Sequence, residues 1–227
     1  MENGRINVVT GAFGFTGKHI TKRLLDMGEE VRTITGHPER PGEFGGRVKA
    51  YPYNFNKPEQ LTESLRGADT LYNTYWVRFD HGSVTFGSAV ENSRTLIKAA
   101  QNAGVRRIVH VSICNPSENS TLPYYRGKAE VEKIIKTSKL SYTILRPTVL
   151  FGDQGILINN IAWFLRKLPV FAVPGSGEYE LQPIYVEDLA DLAVEWGHRD
   201  ENIVLDAVGP ETYSFNALVK LIAEKIG

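Results

Sequence analysis

The stretch "VVTGAFGFTGKHI" (residues 8–20) places glycines at 11, 14 and 17 between a β-branched run and the start of an amphipathic helix. This constrains the chain more than any other feature. A strand that turns over three residues into a helix needs Gly11 for the sharp reversal, Gly14 for close approach to the backbone, and Gly17 so that helix and strand can touch. The helix N-terminus then presents unpaired N–H groups and the positive end of its dipole, a ready seat for phosphate. A glycine turn serving only packing is the bland alternative. The rest of the chain decides between them.

Strand-like and helix-like segments alternate from here on. "RINVVT" (5–10), "EVRTIT" (30–35), "VKAYPYNF" (48–55), "ADTLYNTY" (68–75), "VRRIVHVS" (105–112) and "SYTILRP" (141–147) read as six strands. Helical patterns cover residues 15–27, 58–65, 84–103 (stopped by Gly104) and 123–138. Strands separated by crossover helices predict a Rossmann-like α/β fold, a doubly wound parallel sheet with helices on both faces. Residues 1–150 form the dinucleotide-binding domain in this reading. Residues 151–227 form a small substrate-side region continuous with it, read as helix 187–197, strand 202–207 and helix 214–226 after a turn-rich segment, "AVPGSGEYELQP" (172–183). The chain stops just after a helix, and a C-terminal truncation is left open.

Composition narrows the function classes. Lys plus Arg and Asp plus Glu number 26 each, so no basic excess points to nucleic acid. Cys114 is the only cysteine, which excludes an intrachain disulfide, and the five histidines show no metal-ligand spacing. No secretory leader or run of about 20 apolar residues is evident. The expectation is a cytoplasmic protein without a metal, acting on a small molecule.

Several motifs in order, "VVTGAFGFTG", "AGVRRIVHVS", "YYRGKAEVE", "ILRPTVLFG", "LQPIYVEDLA" and "GPETYSF", resemble an atypical or extended short-chain dehydrogenase/reductase. The likeness runs almost end to end and is nearest to the NmrA-like and complex-I-associated nucleotide-binding branch. It implies cofactor contacts from the whole turn: Gly11, Ala12, Phe13, Gly14, Phe15, Thr16 and Gly17. It extends them to Asn54 and Phe55 at the end of the third strand, Thr74 and Tyr75 at the end of the fourth, Ser112 at the end of the fifth, and Pro147, Thr148 and Val149 at and just past the end of the sixth.

The second strand ends in Thr35 and Gly36, where an acid would hold a ribose 2′-hydroxyl. His37 and Arg40 lie just beyond and could meet a 2′-phosphate, so the sequence leans towards NADP(H) over NAD(H). Members of the family that prefer NADP often carry an arginine at the place of Gly36, and this chain does not.

Tyr124 and Lys128 stand four apart on one helix face, which continues through Val131 and Ile135 toward the sheet. A nearby ammonium is expected to lower the tyrosine pKa and make it a general acid or base. The resemblance implies that Lys128 also bonds the nicotinamide ribose. The family's third member, a Ser or Thr, is missing from its usual position: Cys114 aligns there, with Ser112 two residues earlier. Ser112 is kept as a catalytic candidate that could instead face the nicotinamide, and Ser117, Ser120 or Thr121 in the following loop could substitute.

The aromatic cluster "YNTYWVRF" (72–79) and the apolar helix 157–168, with Trp163 and Phe164, are read either as core and homo-oligomer contacts or as walls for an apolar substrate. Three functions stay open: an oxidoreductase of small carbonyls or alcohols, a non-catalytic NADP(H) sensor, and a nucleotide-sugar epimerase or dehydratase. A structural subunit of a membrane-associated complex is a further possibility.

Overall fold

The computed structural model describes residues 4–40, 42–82 and 84–226. Strand β1 (Ile6–Thr10) is buried along nearly its whole length and runs through the glycine turn into α1 (Phe15–Asp26). Then come β2 (Glu30–Thr35), β3 (Val48–Pro52), α2 (Pro58–Leu65), β4 (Thr70–Asn73), α3 (Phe86–Ala103) and β5 (Arg107–Val111). Helix α4 (Pro123–Lys136) leads to β6 (Ser141–Pro147), β7 (Leu150–Phe151), α5 (Ile156–Lys167), β8 (Glu180–Leu181) and β9 (Ile184–Tyr185). The described chain closes with α6 (Val186–Gly197), β10 (Ile203–Ala207), β11 (Tyr213–Ser214) and α7 (Phe215–Ile226).

Seven strands form one sheet in the order β3-β2-β1-β4-β5-β6-β10, every pair parallel. This is the doubly wound sheet expected from the sequence. Alternation along the strands builds two cores. Val8, Ile34, Ile108 and Ile144 face α2, α3 and α4, where Leu61, Leu96, Val131 and Ile135 are buried. Val9, Val31, Val109 and Leu145 face α1 and α6, meeting Ile20, Leu24, Leu189 and Ala193. A third cluster joins α5 to α7 through Ile161, Ala162, Leu218 and Ile222. Strand order reverses between β1 and β4, so their carboxyl ends diverge into the crevice where such sheets receive ligands.

Several boundaries differ from the sequence reading for local reasons. Strand β3 ends at Pro52, not at residue 55, because Pro52 lacks an N–H and Asn54 takes φ +46°. Helix α3 starts at Phe86, where Thr85 and Ser88 form a reciprocal capping box, and Gly104 ends it at φ +77°. Two short ladders, β7 with β9 and β8 with β11, escaped the sequence reading, since two-residue strands carry no periodicity. Strand β10 joins the main sheet beside β6, and α6 covers its face, so this sheet draws on residues from both sides of position 150.

Candidate active site

At the crevice, the Gly14 N–H donates to the Gly11 carbonyl at 2.8 Å and folds the turn onto itself. Gly11 needs its freedom, standing at φ +65°. A Cβ on Gly17 would run into the Gly11 carbonyl oxygen, so only glycine lets α1 lie this close to the turn. Gly14 is the N-cap of α1, no side chain caps the helix, and its first turn holds no acid. An uncapped N-terminus with a glycine cradle fits the pyrophosphate of a dinucleotide, through the N–H groups of Phe15, Thr16 and Gly17.

The neighbouring strand ends are stapled together. The Thr74 N–H donates to Thr10 Oγ1 at 2.7 Å, and Thr74 Oγ1 returns a bond to the Thr10 carbonyl. Thr10 Oγ1 also donates to Asn73 Oδ1, whose amide donates to Nδ1 of the buried His110 at 3.0 Å. Burial, helped by the Lys128 charge, pushes the His110 pKa down to about 3 and keeps the ring neutral.

Tyr124 and Lys128 lie one turn apart on α4, opposite the glycine turn. Lys128 is buried, donates to the Val111 carbonyl at 3.0 Å, and holds its ammonium 4.8 Å from the centre of the Trp76 ring. Burial pushes its pKa down to about 7, with Glu132 opposing. Trp76 also packs edge-on against Tyr124 at 6.0 Å, in the room left by Gly127, whose Cβ would come within 3.0 Å of the indole. The lowered tyrosine pKa expected from the sequence is not found. Burial, assisted by Tyr125, raises the Tyr124 pKa, and Arg78 is the cation that opposes this. The Lys128 charge is instead turned into the Val111 carbonyl and the Trp76 face.

Ser112 lines the cleft, yet its hydroxyl donates to Glu132 Oε1 at 2.6 Å. Glu132 is buried on α4 one turn beyond Lys128 and binds the Arg146 guanidinium through both oxygens, at 3.0 and 2.7 Å. Lys136 adds a second cation at 3.2 Å. These bonds hold the Glu132 pKa below the ordinary carboxylate value against burial. The Cys114 N–H donates to the Pro147 carbonyl, and burial raises the thiol pKa, which keeps it protonated.

Part of this set borders one cleft of about 800 Å³. From the sequence-expected set it brings together Gly11, Gly14, Phe15, Thr16 and Gly17 on one side, with Thr74, Tyr75, Ser112, Tyr124, Lys128, Pro147, Thr148 and Val149 on the other. The remaining positions lie outside its wall. Ala12 is buried, with its N–H on Thr33 Oγ1, and Phe13 packs on Phe44. His37 and Arg40 are exposed beyond β2, where His37 faces Glu39 at 3.5 Å. Asn54 turns away at its positive φ, and Phe55 stacks on Tyr53 at 4.9 Å. Tyr53 supplies the wall instead, its pKa pushed up to about 12 by burial.

Trp76, Arg78 and Phe79 extend the wall beyond β4, and Ile156, Leu157 and Asn160 close it from α5. The sequence signal for the latter was present: 156, 157 and 160 share one face at helical spacing. Glu132 was legible as the residue one turn past Lys128, with Lys136 a further turn along α4, but Ser112 comes from just past β5 and Arg146 from β6, and no local pattern announces these two.

A glycine cradle on a bare helix N-terminus, at the switch point of a parallel sheet and facing a Tyr–Lys pair, defines a Rossmann-type domain of the short-chain dehydrogenase/reductase kind. The chain matches the model of the NAD(P)H-binding family over residues 11–160 and belongs to that family. It is an NAD(P)-binding protein with an oxidoreductase-like fold. It is 22% identical to the mitochondrial NADH dehydrogenase [ubiquinone] 1 alpha subcomplex subunit 9 of Arabidopsis thaliana, over 99% of this chain and 58% of that protein. The chain thus spans about three-fifths of the length of the curated relatives it matches. MoeE5, solved with UDP-glucose and NAD, shares the fold at a TM-score of 0.80 and 23% identity, covering 98% of this chain and 82% of that one. The UDP-N-acetylglucosamine 4-epimerase from Bacillus cereus superposes at 0.82 with 15% identity, covering 99% and 82%. No helix among the described residues is long and apolar enough to cross a membrane.

Proposed function

We propose that this protein is an NAD(P)H-dependent oxidoreductase acting on a small carbonyl or alcohol, with Tyr124 as the proton-transferring group. The observation that carries this reading is that Tyr124, Lys128 and the glycine turn all border the same cleft. Gly11, Gly14 and the N–H groups of residues 15–17 would hold the pyrophosphate, with Thr74, Pro147 and Thr148 along the remainder of the dinucleotide. Bound NAD(P)H supplies the hydride that converts a carbonyl carbon to an alcohol. The carbonyl oxygen then needs one proton. Tyr124 holds that proton through the neutral range, because burial keeps the phenol in its donor form. Trp76 packs against its ring and is itself held by Lys128, and Glu132 fixes α4 against Ser112 after β5 and Arg146 of β6.

NADP(H) is the favoured cofactor in this proposal, supported by the absence of an acid at Thr35–Gly36 and by the exposed Arg40 beyond β2. A non-catalytic NADP(H) sensor is the second reading. It draws support from the Ser112 hydroxyl, which is committed to Glu132 and not offered to a substrate. Epimerase or dehydratase chemistry on a nucleotide sugar is a third, suggested by the solved neighbours' substrates. The cytoplasmic assignment stays part of the proposal beside relatives named as mitochondrial, and cell fractionation tests it.

The test is NADPH and NADH oxidation against a panel of aldehydes, ketones and oxo acids, with nucleotide sugars included. Turnover of a carbonyl that stops in Tyr124→Phe supports the oxidoreductase. Cofactor binding with no turnover across the panel favours the sensor, and sugar conversion without net oxidation of cofactor favours the epimerase.

A further inference from the structure

The cleft wall is uneven in charge. It includes two cations and no carboxylate among its described lining residues. One cation, Lys128, is buried and already bonded to the Val111 carbonyl. The other, Arg78, is exposed on the segment beyond β4, and no ion pair holds it among the described residues. The nearest acid in sequence, Asp80, accepts from the Phe86 N–H at 2.8 Å. A guanidinium at the mouth of an apolar cleft, without a carboxylate from its own chain, is an anion-binding group in waiting.

Which anion it awaits follows from its position. The glycine turn serves the pyrophosphate from α1 and needs no side chain. Arg78 borders the same cleft as Tyr124, two residues beyond the Trp76 that packs edge-on against the Tyr124 ring, and its charge opposes the rise that burial imposes on the phenol. It therefore stands at the reacting end. Phe79, Ile156 and Leu157 line the wall with it, and all three are exposed apolar surface. One free guanidinium balances one monoanion, and its planar fork matches a carboxylate in two bonds. A diphosphate would call for a second free cation, and Lys128 is committed.

We infer that Arg78 is a specificity-determining residue that binds the carboxylate of an apolar oxo acid, or of the matching hydroxy acid, and sets its oxygen at Tyr124. The identity of the reacting carbonyl rests on the oxidoreductase proposal; the carboxylate site does not.

Two arms keep these apart. In the first, calorimetry measures hexanoate and hexanamide binding to the NADPH-loaded protein, with Arg78→Leu and Arg78→Lys beside it. Hexanoate is expected to bind at least about tenfold more tightly than the amide, Arg78→Leu to erase the difference, and Arg78→Lys to keep part of it. Equal binding of acid and amide, or a preference unchanged in Arg78→Leu, overturns the inference whether or not the protein turns over. In the second arm, NADPH and NADH affinities are compared in Arg78→Leu. Unchanged affinities support a substrate site, and a loss confined to NADPH assigns Arg78 to the cofactor's 2′-phosphate and overturns it. Where turnover exists, 2-oxohexanoate should exceed its methyl ester in kcat/KM, and Arg78→Leu should lower kcat/KM for the acid at least about tenfold more than for the ester. A panel without turnover, alongside a carboxylate preference that depends on Arg78, rejects the oxidoreductase and leaves the carboxylate site standing.

Discussion

The Lys128 ammonium sits over the indole of Trp76, 4.8 Å from the ring centre, while Nζ donates to the Val111 carbonyl. A cation desolvated against tryptophan gains about 2 kcal/mol from the ring quadrupole. Trp76 and Lys128 line the same cleft as the glycine turn, so a ligand seated there lies beside the indole. NADPH binding is expected to change tryptophan emission, and Trp76→Phe should abolish that change although Trp163 and Trp196 remain. The same change in the variant would show that Trp76 stands apart from the cofactor.

The buried ammonium also sets a pH dependence. In the folded protein Lys128 titrates at about 7, against 10.5 in an unfolded chain. Below pH 7 both states carry the charge, and the fold bears its full desolvation cost. As pH rises from 7 toward 10.5, the native lysine sheds its proton while the unfolded one keeps it, and this cost is relieved. The Tm of Lys128→Met relative to the parent should thus be higher at pH 6 than at pH 9. An equal difference at both pH values would contradict the shift.

Glu132 has the opposite sign. Its folded pKa is lowered by Arg146 and Ser112, so its contribution is present above the unfolded carboxylate pKa near 4.5 and is lost as pH falls through the folded value. Glu132→Gln leaves the Arg146 cation without its carboxylate and should cost about 3 kcal/mol in urea unfolding at pH 7. The cost should shrink on the acid limb, as the parent protonates. A cost constant from pH 7 to pH 3 would show that the charge of Glu132 is immaterial.

Gly14→Asp separates folding from binding. An aspartate is a favourable N-cap, so α1 should form at least as well, with its Cβ in a tight but tolerable 3.2 Å contact with the Gly11 oxygen. The same carboxylate occupies the N–H groups intended for pyrophosphate and repels it. Near-parental circular dichroism with lost NADPH affinity is the expected pair of results. Retained affinity would make the turn a packing device.

Much of this architecture was legible because its signals are local. The glycines at 11, 14 and 17 and the period of 3.6 along residues 123–136 each report on residues close in the chain. Ser112 was a harder case. As a residue just past β5 it was a fair catalytic candidate, but its hydroxyl is drawn to Glu132, 20 residues away, by a carboxylate that β6 anchors through Arg146. The expected effect of Lys128 on Tyr124 failed similarly. Helical spacing placed the two on one face, while Trp76, from the segment after β4, claimed the ammonium. Arg78 lies in the aromatic cluster 72–79 and Leu157 and Asn160 in the apolar helix, both read from the sequence as possible walls for an apolar substrate, but only tertiary folding brings them to one cleft.

The most direct test of the central claim compares the parent protein and Tyr124→Phe for NADPH affinity and for turnover of the best carbonyl from the panel. Loss of one hydroxyl should leave the dissociation constant of NADPH unchanged and lower kcat by about 10²–10⁴-fold, the usual worth of a positioned proton donor. A variant that turns over at the parental rate would contradict the assignment of Tyr124 as the proton-transferring group.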